Sequence, residues 1–323
     1  MRYRNLGKWG VKLSTVGLGS YLTIGMHVDD TMAEECVKLA FDSGVNWIDT
    51  ANAYNRGAAE AALGKLLKPY RRDSYVLATK VWAPMGDGPN DQGLSAKHIF
   101  EQCHASLERL RADYIDLYQC HRYDPGTPVE ETVRTMDDLA RQGKILYWGV
   151  SEWTAAQITE AVATAREIGC RPPVSNQPRY NLMWRYPEAD VFSTCKKLGI
   201  GNVNFSPLAH GVLSAKYEPG QPPAAGTRAA DDTQNAIMME NYWGDESLQK
   251  AKELQRIAGE MDLTAAQLAI AWCLREEALT SVIIGATRAE QMKETIVAAD
   301  VDVPDDVAQR LEEMYPLPEL NAP

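Results

Sequence analysis

The stretch "YIDLYQCHRYDPGTPVEETV", Tyr114–Val133, decides the fold because it contains one complete step of a repeating pattern. A strand-like apolar run ends at His121, a proline-containing loop follows, and a helix is expected to start near Pro128. A strand that leads through a short loop into a helix is the unit of parallel α/β folds. The stretch leaves open why one of only five histidines stands at a strand end: it could be a packed loop residue, a metal ligand or a catalytic group.

The same unit recurs along the chain, which alternates short apolar runs with amphipathic stretches. The strand candidates are Val16–Gly19, Asn46–Thr50, Tyr75–Lys80, Tyr114–His121, Ile145–Ser151, Val174–Gln177, Asn202–Leu208 and Ser281–Gly285. Helices are expected to begin near Met32, Ala58, Ser95, Pro128, Thr154, Pro187, Thr264 and Ala289. Eight such units joined by right-handed crossovers predict a (β/α)8 TIM barrel.

Some segments exceed the eight units. "YRNLGKWGVKLS" near the start fits a β-hairpin that plugs the barrel floor, and extra helices are expected at Glu246–Glu260 and Pro304–Met314. The Pro/Ala/Gly-rich stretch Glu218–Thr233 is typical of a lid loop rather than an interdomain linker. We therefore expect a single domain over residues 1–323.

Composition and charge exclude several classes of function. The formal net charge is −11, from 33 basic and 44 acidic residues, which argues against broad nucleic-acid contacts. The six cysteines form no CxxC pair and are typical of reduced thiols in a cytoplasmic protein. The opening "MRYRNLGKWG" lacks the apolar segment of a signal peptide, and no apolar run approaches membrane-spanning length, so no membrane insertion is expected.

Three motif-like stretches carry little weight. "GLGSYLTIG" misplaces the third glycine of a dinucleotide-binding turn, and "GAAEAALGKL" has the wrong spacing for a phosphate loop. "HIFEQCH" places His98 and His104 six residues apart, without the i, i+4 spacing of helical zinc sites, so no metal is expected.

Four side chains suited to proton transfer follow consecutive strands. Asp49, Lys80 and His121 stand at strand ends, with Tyr54 five residues after Asp49. Each alone is commonly a surface ion pair or a packing residue, but all four at one rim of a barrel favour catalysis. Carbonyl reduction needs a proton donor for the developing oxyanion. We therefore expect Tyr54 as acid, Lys80 lowering its pKa, Asp49 anchoring Lys80, and His121 orienting the substrate oxygen.

Longer motifs identify a resemblance. They include "DTANAYNRGAAEAALGKLL", "LATKVW", "GLSAKHIFEQCHASLERLRADYIDLYQCHRYDP", "GKILYWGVSEW", "SPLAHGVLSAKY", "QLAIAWCLR" and "IIGATRAEQ". From the opening hairpin to about Ala298 the chain resembles the aldo-keto reductases, most closely the branch of the voltage-gated potassium-channel β subunits and their bacterial relatives. The resemblance implies NADP(H) as cofactor, gives the four residues the roles stated above, and implies a possible homotetramer.

The resemblance also implies a cofactor path over the barrel mouth. The nicotinamide end would meet Gly19, Ser20, Tyr21 and Asp49, the carboxamide Ser151, Asn176 and Gln177, and the ring Phe205. The pyrophosphate would meet Ser206, Leu208 and Gly211, with Lys216 and Arg228 on the lid. The adenosine end would meet Gly285, Thr287, Arg288, Gln291 and Glu294. Independently, "TRAE" is a capping-box pattern in which Thr287 caps a helix, and Arg288 favours a 2′-phosphate.

Substrate contacts and rival functions complete the expectations. With Tyr54 and His121, the residues placed to line the pocket are Tyr21, Trp82, Tyr123, Trp153 and His210, for which packing at the rim is the alternative. A small carbonyl substrate is expected. The second hypothesis is an NADP-binding regulatory module like the channel subunits, but those carry asparagine where this chain has His121. A barrel hydrolase with paired carboxylates is disfavoured, since no second carboxylate ends a neighbouring strand.

Overall fold

The computed structural model describes residues 1–26, 28–233 and 235–318. Eight parallel strands form a closed barrel in the order β10-β3-β4-β5-β6-β7-β8-β9, preceded by the antiparallel hairpin β1–β2, which confirms the predicted (β/α)8 fold. The strands are β1 Tyr3–Asn5, β2 Lys12–Ser14, β3 Val16–Gly19, β4 Trp47–Asp49, β5 Val76–Val81, β6 Ile115–Cys120, β7 Ile145–Ser151, β8 Ser175–Gln177, β9 Gly201–Asn204 and β10 Leu279–Ile284.

Helices surround the barrel and include both extra helices expected from the sequence. They are α1 Asp30–Asp42, α2 Ala58–Leu66, α3 Ala96–Leu110, α4 Val129–Arg141, α5 Ala155–Glu167, α6 Val191–Leu198, α7 Ala236–Asn241, α8 Asp245–Gly259, α9 Ala265–Arg275, α10 Ala289–Ile296 and α11 Asp305–Met314. The sequence did not predict the short α7, and α6 begins after a 3-10 turn at Tyr186–Glu188. No helix in the described ranges has both the length and the apolar character needed to cross a membrane.

The hairpin closes the bottom of the barrel interior, which we call the lumen. Leu6 and Leu13 of the hairpin pack in one buried cluster with lumen-facing residues of the strands, namely Trp47, Ala78, Leu117, Val203 and Ile283. Arg4 anchors the hairpin by donating to the carbonyl oxygens of Leu274 and Leu279, both at 2.7 Å. The floor of the lumen is therefore filled by packed apolar side chains.

One glycine makes room for the largest side chain of that floor. A Cβ atom at Gly17 would stand 2.1 Å from the Trp47 indole, closer than any real contact allows. The indole Nε1 in turn donates to Ser281 Oγ at 2.9 Å. Trp47 can therefore lie flat against β3 only because Gly17 has no side chain.

Two residues further along β4, β5 and β6, the lumen becomes polar. Successive side chains of a strand face opposite sides, so residues two apart share a side. Asp49 follows Trp47 on β4, Lys80 follows Ala78 on β5, and Gln119 follows Leu117 on β6. This step from apolar floor to polar layer places the candidate site at the carboxyl ends of the strands, where barrel enzymes carry their active sites.

Candidate active site

The structure brings Asp49, Tyr54 and Lys80 into direct contact. Lys80 Nζ pairs with Asp49 Oδ1, and it donates to the carbonyl oxygen of Thr50 at 2.8 Å and to the Tyr54 hydroxyl at 3.2 Å. The Lys80 and Asp49 side chains are 0% and 3% exposed. The lysine is thus a buried ammonium that bridges a carboxylate and a phenol.

The chain after β4 bends sharply to return Tyr54 to the lysine. Tyr54 begins a 3-10 turn in which Asn55 and Arg56 adopt left-handed backbone angles, with φ of 47° and 50°. Asn55 stabilises this bend because its side-chain amide donates to the carbonyl oxygen of Gly25 at 2.6 Å, and asparagine tolerates left-handed angles better than most residues.

His121 completes the group from the neighbouring strand end. Its ring centre lies 5.7 Å from that of Tyr54, at an angle of 73°, and its backbone N–H donates to the carbonyl oxygen of Val81 at 2.9 Å. Nδ1 is buried without a hydrogen-bond partner among the described residues. Burial, then the charges of Lys80 and Arg122, hold the pKa of His121 well below its ordinary value. The imidazole is therefore neutral at physiological pH.

The pKa of Tyr54 moves in the direction opposite to the one expected from Lys80 alone. Burial, then the Asp49 carboxylate, raise the pKa of Tyr54 well above 10. Burial also lowers the pKa of Lys80, opposed by its contact with Asp49. Burial is thus the largest cause of the pKa shift for both groups, and it keeps the proton on the tyrosine. The hydrogen bond from Lys80 Nζ to the hydroxyl remains, aimed at the oxygen on which a phenolate would form.

The second oxygen of Asp49 is held by two amides. Gln177 Nε2 donates to Asp49 Oδ2 at 2.9 Å, and Gln119 Nε2 does so at 3.3 Å. We did not predict Gln119 as a site residue, although it stands two residues before His121 on the same strand. The two-residue period of that strand was the signal that could have identified it.

Asn176 does not join the site. Its side chain donates to Asn202 Oδ1 at 3.1 Å and lies beside Cys195 of α6, on the helix side of the barrel wall. Gln177 faces the lumen, so its strand neighbour must face away. The structure therefore does not support the expectation that Asn176 and Gln177 both contact a carboxamide. Ser151 does face the lumen side and donates to the carbonyl oxygen of Gln177 at 2.9 Å.

A group of cations lies at the mouth of the barrel beside the loop after β9. The charges of Arg228 and Arg288, after burial, lower the pKa of the Lys216 ammonium, although much of that side chain is exposed. Arg228 buries Nε and Nη2 without a hydrogen-bond partner in the described part of the chain. No salt bridge between described residues includes these three cations. Unpaired, partly buried guanidinium nitrogens fit an anionic ligand such as a dinucleotide phosphate.

The backbone of that loop has an unusual shape. Left-handed φ angles occur at Ser206, Ala209, His210 and Gly211, the last of these at 103°. A Cβ atom at Gly211 would stand 3.5 Å from Lys216 Nζ. Turns that mix right- and left-handed residues form concave surfaces of backbone N–H groups that bind anions. The loop therefore supplies a plausible cradle for the pyrophosphate expected at Ser206, Leu208 and Gly211.

The other residues expected along the cofactor path lie around the same opening. Gly19 ends β3, and a Cβ atom there would stand 2.5 Å from the Ile283 side chain. Ser20 donates to the Thr50 hydroxyl at 2.8 Å. Phe205 packs on the lumen cluster, and a Cβ atom at Gly285 would lie 3.6 Å from the carbonyl oxygen of Gly19.

The start of α10 differs from the capping box predicted for it. The N-cap residue is Arg288, without a side-chain capping bond, so Thr287 is not the cap. Instead, Gln291 Oε1 accepts from the backbone N–H of Thr287 at 3.0 Å and from its hydroxyl at 2.9 Å. Glu294, further along, accepts through its backbone oxygen from Gln267. Gln291 thus connects the loop to the helix through hydrogen bonds with Thr287. The Arg288 side chain, between them in the sequence, is exposed.

The aromatic residues expected to line the pocket are not equivalent. Tyr21 is 44% exposed and its ring centre lies 4.9 Å from that of Tyr54. Trp153 is only 2% exposed and packs edge-on against Tyr123 at 5.0 Å, so it supports the wall behind Tyr123. Trp82 is partly buried. His210 is 8% exposed, with burial and two arginines lowering its pKa to about 3.

The comparisons with known proteins agree with this geometry. Residues 15–316 match the Aldo/keto reductase family. The chain is 42% identical over 305 residues to a "Probable voltage-gated potassium channel subunit beta" of Arabidopsis thaliana, covering 93% of this chain and 92% of the relative. It is 41% identical to a protein of the same description from Oryza sativa subsp. japonica, with the same coverage. The chain belongs to the aldo/keto reductase family.

Proposed function

We propose that this protein reduces aldehydes or ketones to alcohols with NADPH as hydride donor. The observation that carries the proposal is the Lys80 ammonium, which contacts both the Asp49 carboxylate and the Tyr54 hydroxyl at the carboxyl end of the barrel. Membership of an oxidoreductase family supports the same chemistry. Residue roles, cofactor and substrate class are all parts of this proposal.

Each residue of the group has a task in the reduction. A bound NADPH would supply the hydride for the carbonyl carbon. Tyr54 would give its phenolic proton to the carbonyl oxygen, so the product is a neutral alcohol. Lys80 stabilises the phenolate that remains, because its Nζ is already directed at that oxygen. Asp49 fixes Lys80 from the opposite side. His121, neutral because its pKa is lowered, would donate a hydrogen bond to the substrate oxygen without competing as an acid.

The cations at the mouth support NADPH rather than NADH. Arg228 has two buried guanidinium nitrogens free to bind, and Arg288 is exposed one residue before α10. A 2′-phosphate carries up to two negative charges, and arginine can meet it with parallel hydrogen bonds. NADH has no such group. In a chain of net charge −11, a cationic cluster at one opening favours a phosphate ligand.

The names of the relatives favour a second function. Both are described as channel β subunits, which is consistent with an NADP-binding regulatory module that turns over slowly. His121 favours the reductase, because a neutral imidazole beside Tyr54 is suited to orienting a carbonyl oxygen. Assembly as a homotetramer and a cytoplasmic location belong to the same proposal and are tested by light scattering and cell fractionation.

A panel of carbonyl compounds assayed with NADPH and with NADH in parallel tests the proposal. The panel should include aliphatic, aromatic and phosphorylated aldehydes, with the loss of cofactor absorbance as the signal. A reductase gives saturable turnover with at least one class and prefers NADPH. Tight NADPH binding with turnover near background for all classes would favour the regulatory module instead.

A further inference from the structure

Three buried side chains form a closed ring in the lumen beneath the candidate site. Asp49 Oδ2 accepts from Gln177 Nε2 at 2.9 Å and from Gln119 Nε2 at 3.3 Å. Gln177 Nε2 also donates to Gln119 Oε1 at 3.5 Å. The three residues are 2%, 2% and 0% exposed for Asp49, Gln177 and Gln119. Two of them belong to the proposed catalytic and cofactor sites, while Gln119 has no role assigned so far.

The chemistry of the ring fixes the direction of both amides. A carboxylate only accepts hydrogen bonds, so each glutamine must turn its nitrogen towards Asp49. The carbonyl oxygen of Gln119 is then left to accept the second N–H of Gln177. Both N–H groups of Gln177 are thereby directed into the ring. Its Oε1 has no donor among the described residues, and it is available as an acceptor for an N–H group of a ligand at the mouth.

A glycine on the intervening strand allows the amides to meet. β7 lies between β6 and β8, and Gly149 pairs with Gln119 on one side and with Ser175 on the other. A Cβ atom at Gly149 would stand 2.0 Å from Ser175 Oγ. The inner surface of β7 therefore carries no side chain at this level, which leaves space for side chains of β6 and β8 to reach each other.

A side chain that only filled space at position 119 would be less costly to bury if it were apolar than as a glutamine. Leu117, two residues earlier on the same side of β6, belongs to the apolar floor. An amide buried in the lumen loses its hydrogen bonds to water, and this cost is offset only if protein groups replace them. Among the described residues, the Gln119 side chain forms hydrogen bonds only with Asp49 and Gln177, the two residues that the proposed reaction uses.

We propose that Gln119 is a positioning residue, which donates to the second carboxylate oxygen of Asp49 and holds the amide of Gln177 in place by accepting its second N–H. Gln119 thereby holds the Asp49 carboxylate that pairs with Lys80. It also holds the Gln177 amide, whose Oε1 would accept from the cofactor carboxamide. The inference rests on the proposed function, because it takes Asp49 and Gln177 as parts of the reductase site. Gln119 itself does not touch the substrate.

The first test compares Gln119→Leu with Thr79→Val. Thr79 lies on β5 beside Lys80, is buried, and donates to Glu60 at 2.5 Å outside the lumen, so its variant also loses one buried hydrogen bond. We expect kcat/KM to fall about tenfold or more in Gln119→Leu, as for loss of a hydrogen bond to a charged group. Thr79→Val should keep the wild-type rate even if its melting temperature drops equally. Equal rates in the two variants would overturn the proposal.

The second test uses Gln119→Glu, which keeps the length of the side chain and its acceptor for Gln177. At about pH 8 the introduced carboxylate faces Asp49, so two like charges oppose each other and the rate should fall. At about pH 5.5 the introduced carboxyl, its pKa raised by that repulsion, can hold a proton and donate a hydrogen bond to Asp49 in place of the lost amide N–H. We expect the ratio of the rates at the two pH values to rise about tenfold over the wild-type ratio. An unchanged ratio would contradict the proposal, because a purely structural amide would not create this pH dependence.

A titration of NADPH into the ligand-free protein, followed by tryptophan fluorescence, tests Gln119 without turnover. Gln119→Leu should weaken binding, because the Gln177 amide loses one of its two hydrogen bonds and is held less firmly, whereas Thr79→Val should not. Wild-type turnover on the carbonyl panel tests the proposed function separately. Wild-type affinity and rate in Gln119→Leu would refute the inference while leaving the reductase intact, and a wild type that neither binds NADPH nor turns over would refute both.

Discussion

At the scale of single residues, Tyr54 is the proposed proton donor, and its removal should affect the rate alone. Tyr54→Phe deletes one oxygen in a pocket whose proposed phosphate contacts lie elsewhere. We expect turnover to fall about 10²- to 10⁴-fold, the usual effect of losing a general acid, with NADPH affinity nearly unchanged. Tyr118→Phe is the matched control, because Tyr118 is fully buried on β6 and its hydroxyl faces α3. Near-normal turnover in Tyr54→Phe would remove Tyr54 from the mechanism.

Lys80→Met should affect both chemistry and stability. It leaves the buried Asp49 carboxylate without its cation, which costs about 3–5 kcal/mol when a buried pair is broken. The phenol of Tyr54 also loses its nearest positive charge, so its pKa rises further and the alkaline limb of any residual rate moves to higher pH. Lys252→Met is the control, because Lys252 also contacts both a carbonyl oxygen, that of Ala215, and a carboxylate, that of Glu218.

The pH profile and the urea midpoint of Lys80→Met measure these two effects independently. An unshifted profile with reduced stability would make Lys80 a structural residue. A shifted profile at unchanged stability would show that the lumen accepts an unpaired carboxylate, contrary to its burial.

At the scale of elements, the beginning of α10 should decide the choice of cofactor. Arg288 is the N-cap residue of α10 and is exposed at the mouth, while Gln291 holds the preceding Thr287. We expect Arg288→Ala to weaken NADPH about ten- to a hundredfold and NADH much less, because only NADPH carries the 2′-phosphate. Lys293→Ala, on an exposed position of the same helix, is the control. Equal losses for both cofactors would place Arg288 against the adenine ring or the helix start.

The elements also explain which predictions from the sequence succeeded. Apolar runs located all eight barrel strands, because each must be buried on both faces and so carries a strong signal. The positions of Asp49, Lys80 and His121 at the ends of neighbouring strands followed directly from those runs. The predicted strand Asn202–Leu208 ends at Asn204 in the structure, since left-handed residues from Ser206 onwards turn the chain into the loop at the barrel mouth. Such turns depend on neighbouring elements and leave no periodic signal.

The error at Asn176 has a different origin. The resemblance placed both Asn176 and Gln177 at a carboxamide, but adjacent residues of a strand face opposite sides. The two-residue period already excluded one of them, and the contact of Gln177 with Asp49 identifies which. The same period includes Gln119 with His121. Side-chain direction in the lumen was therefore predictable, whereas the pairing of specific amides across β7 required coordinates.

At the scale of the whole molecule, buried histidines should make stability depend on pH. Burial and nearby arginines lower the pKa of His210 to about 3, and burial lowers the pKa of His98 and His121. In the unfolded chain each histidine binds a proton near pH 6.5. Below that pH the unfolded state gains protons that the folded state does not, so stability is lost as the pH falls.

We expect the urea midpoint of the ligand-free protein to fall steadily from about pH 7 to about pH 5, with a flatter dependence in His210→Phe. His104→Phe replaces an exposed histidine and should leave the slope unchanged. A slope that is identical in both variants would show that His210 does not contribute.

The attachment of the hairpin to the far end of the chain has a consequence for the order in which the molecule is made. Arg4 reaches the carbonyl oxygens of Leu274 and Leu279, and β3 closes the barrel against β10. On a ribosome, these partners are synthesised hundreds of residues after the hairpin, and contacts of such long sequence separation form late. Leu6 and Leu13 can therefore complete their buried cluster only after Val203 and Ile283 have been made. A segment made early is thus among the last to complete its native contacts, because its anchors lie near the other end of the barrel.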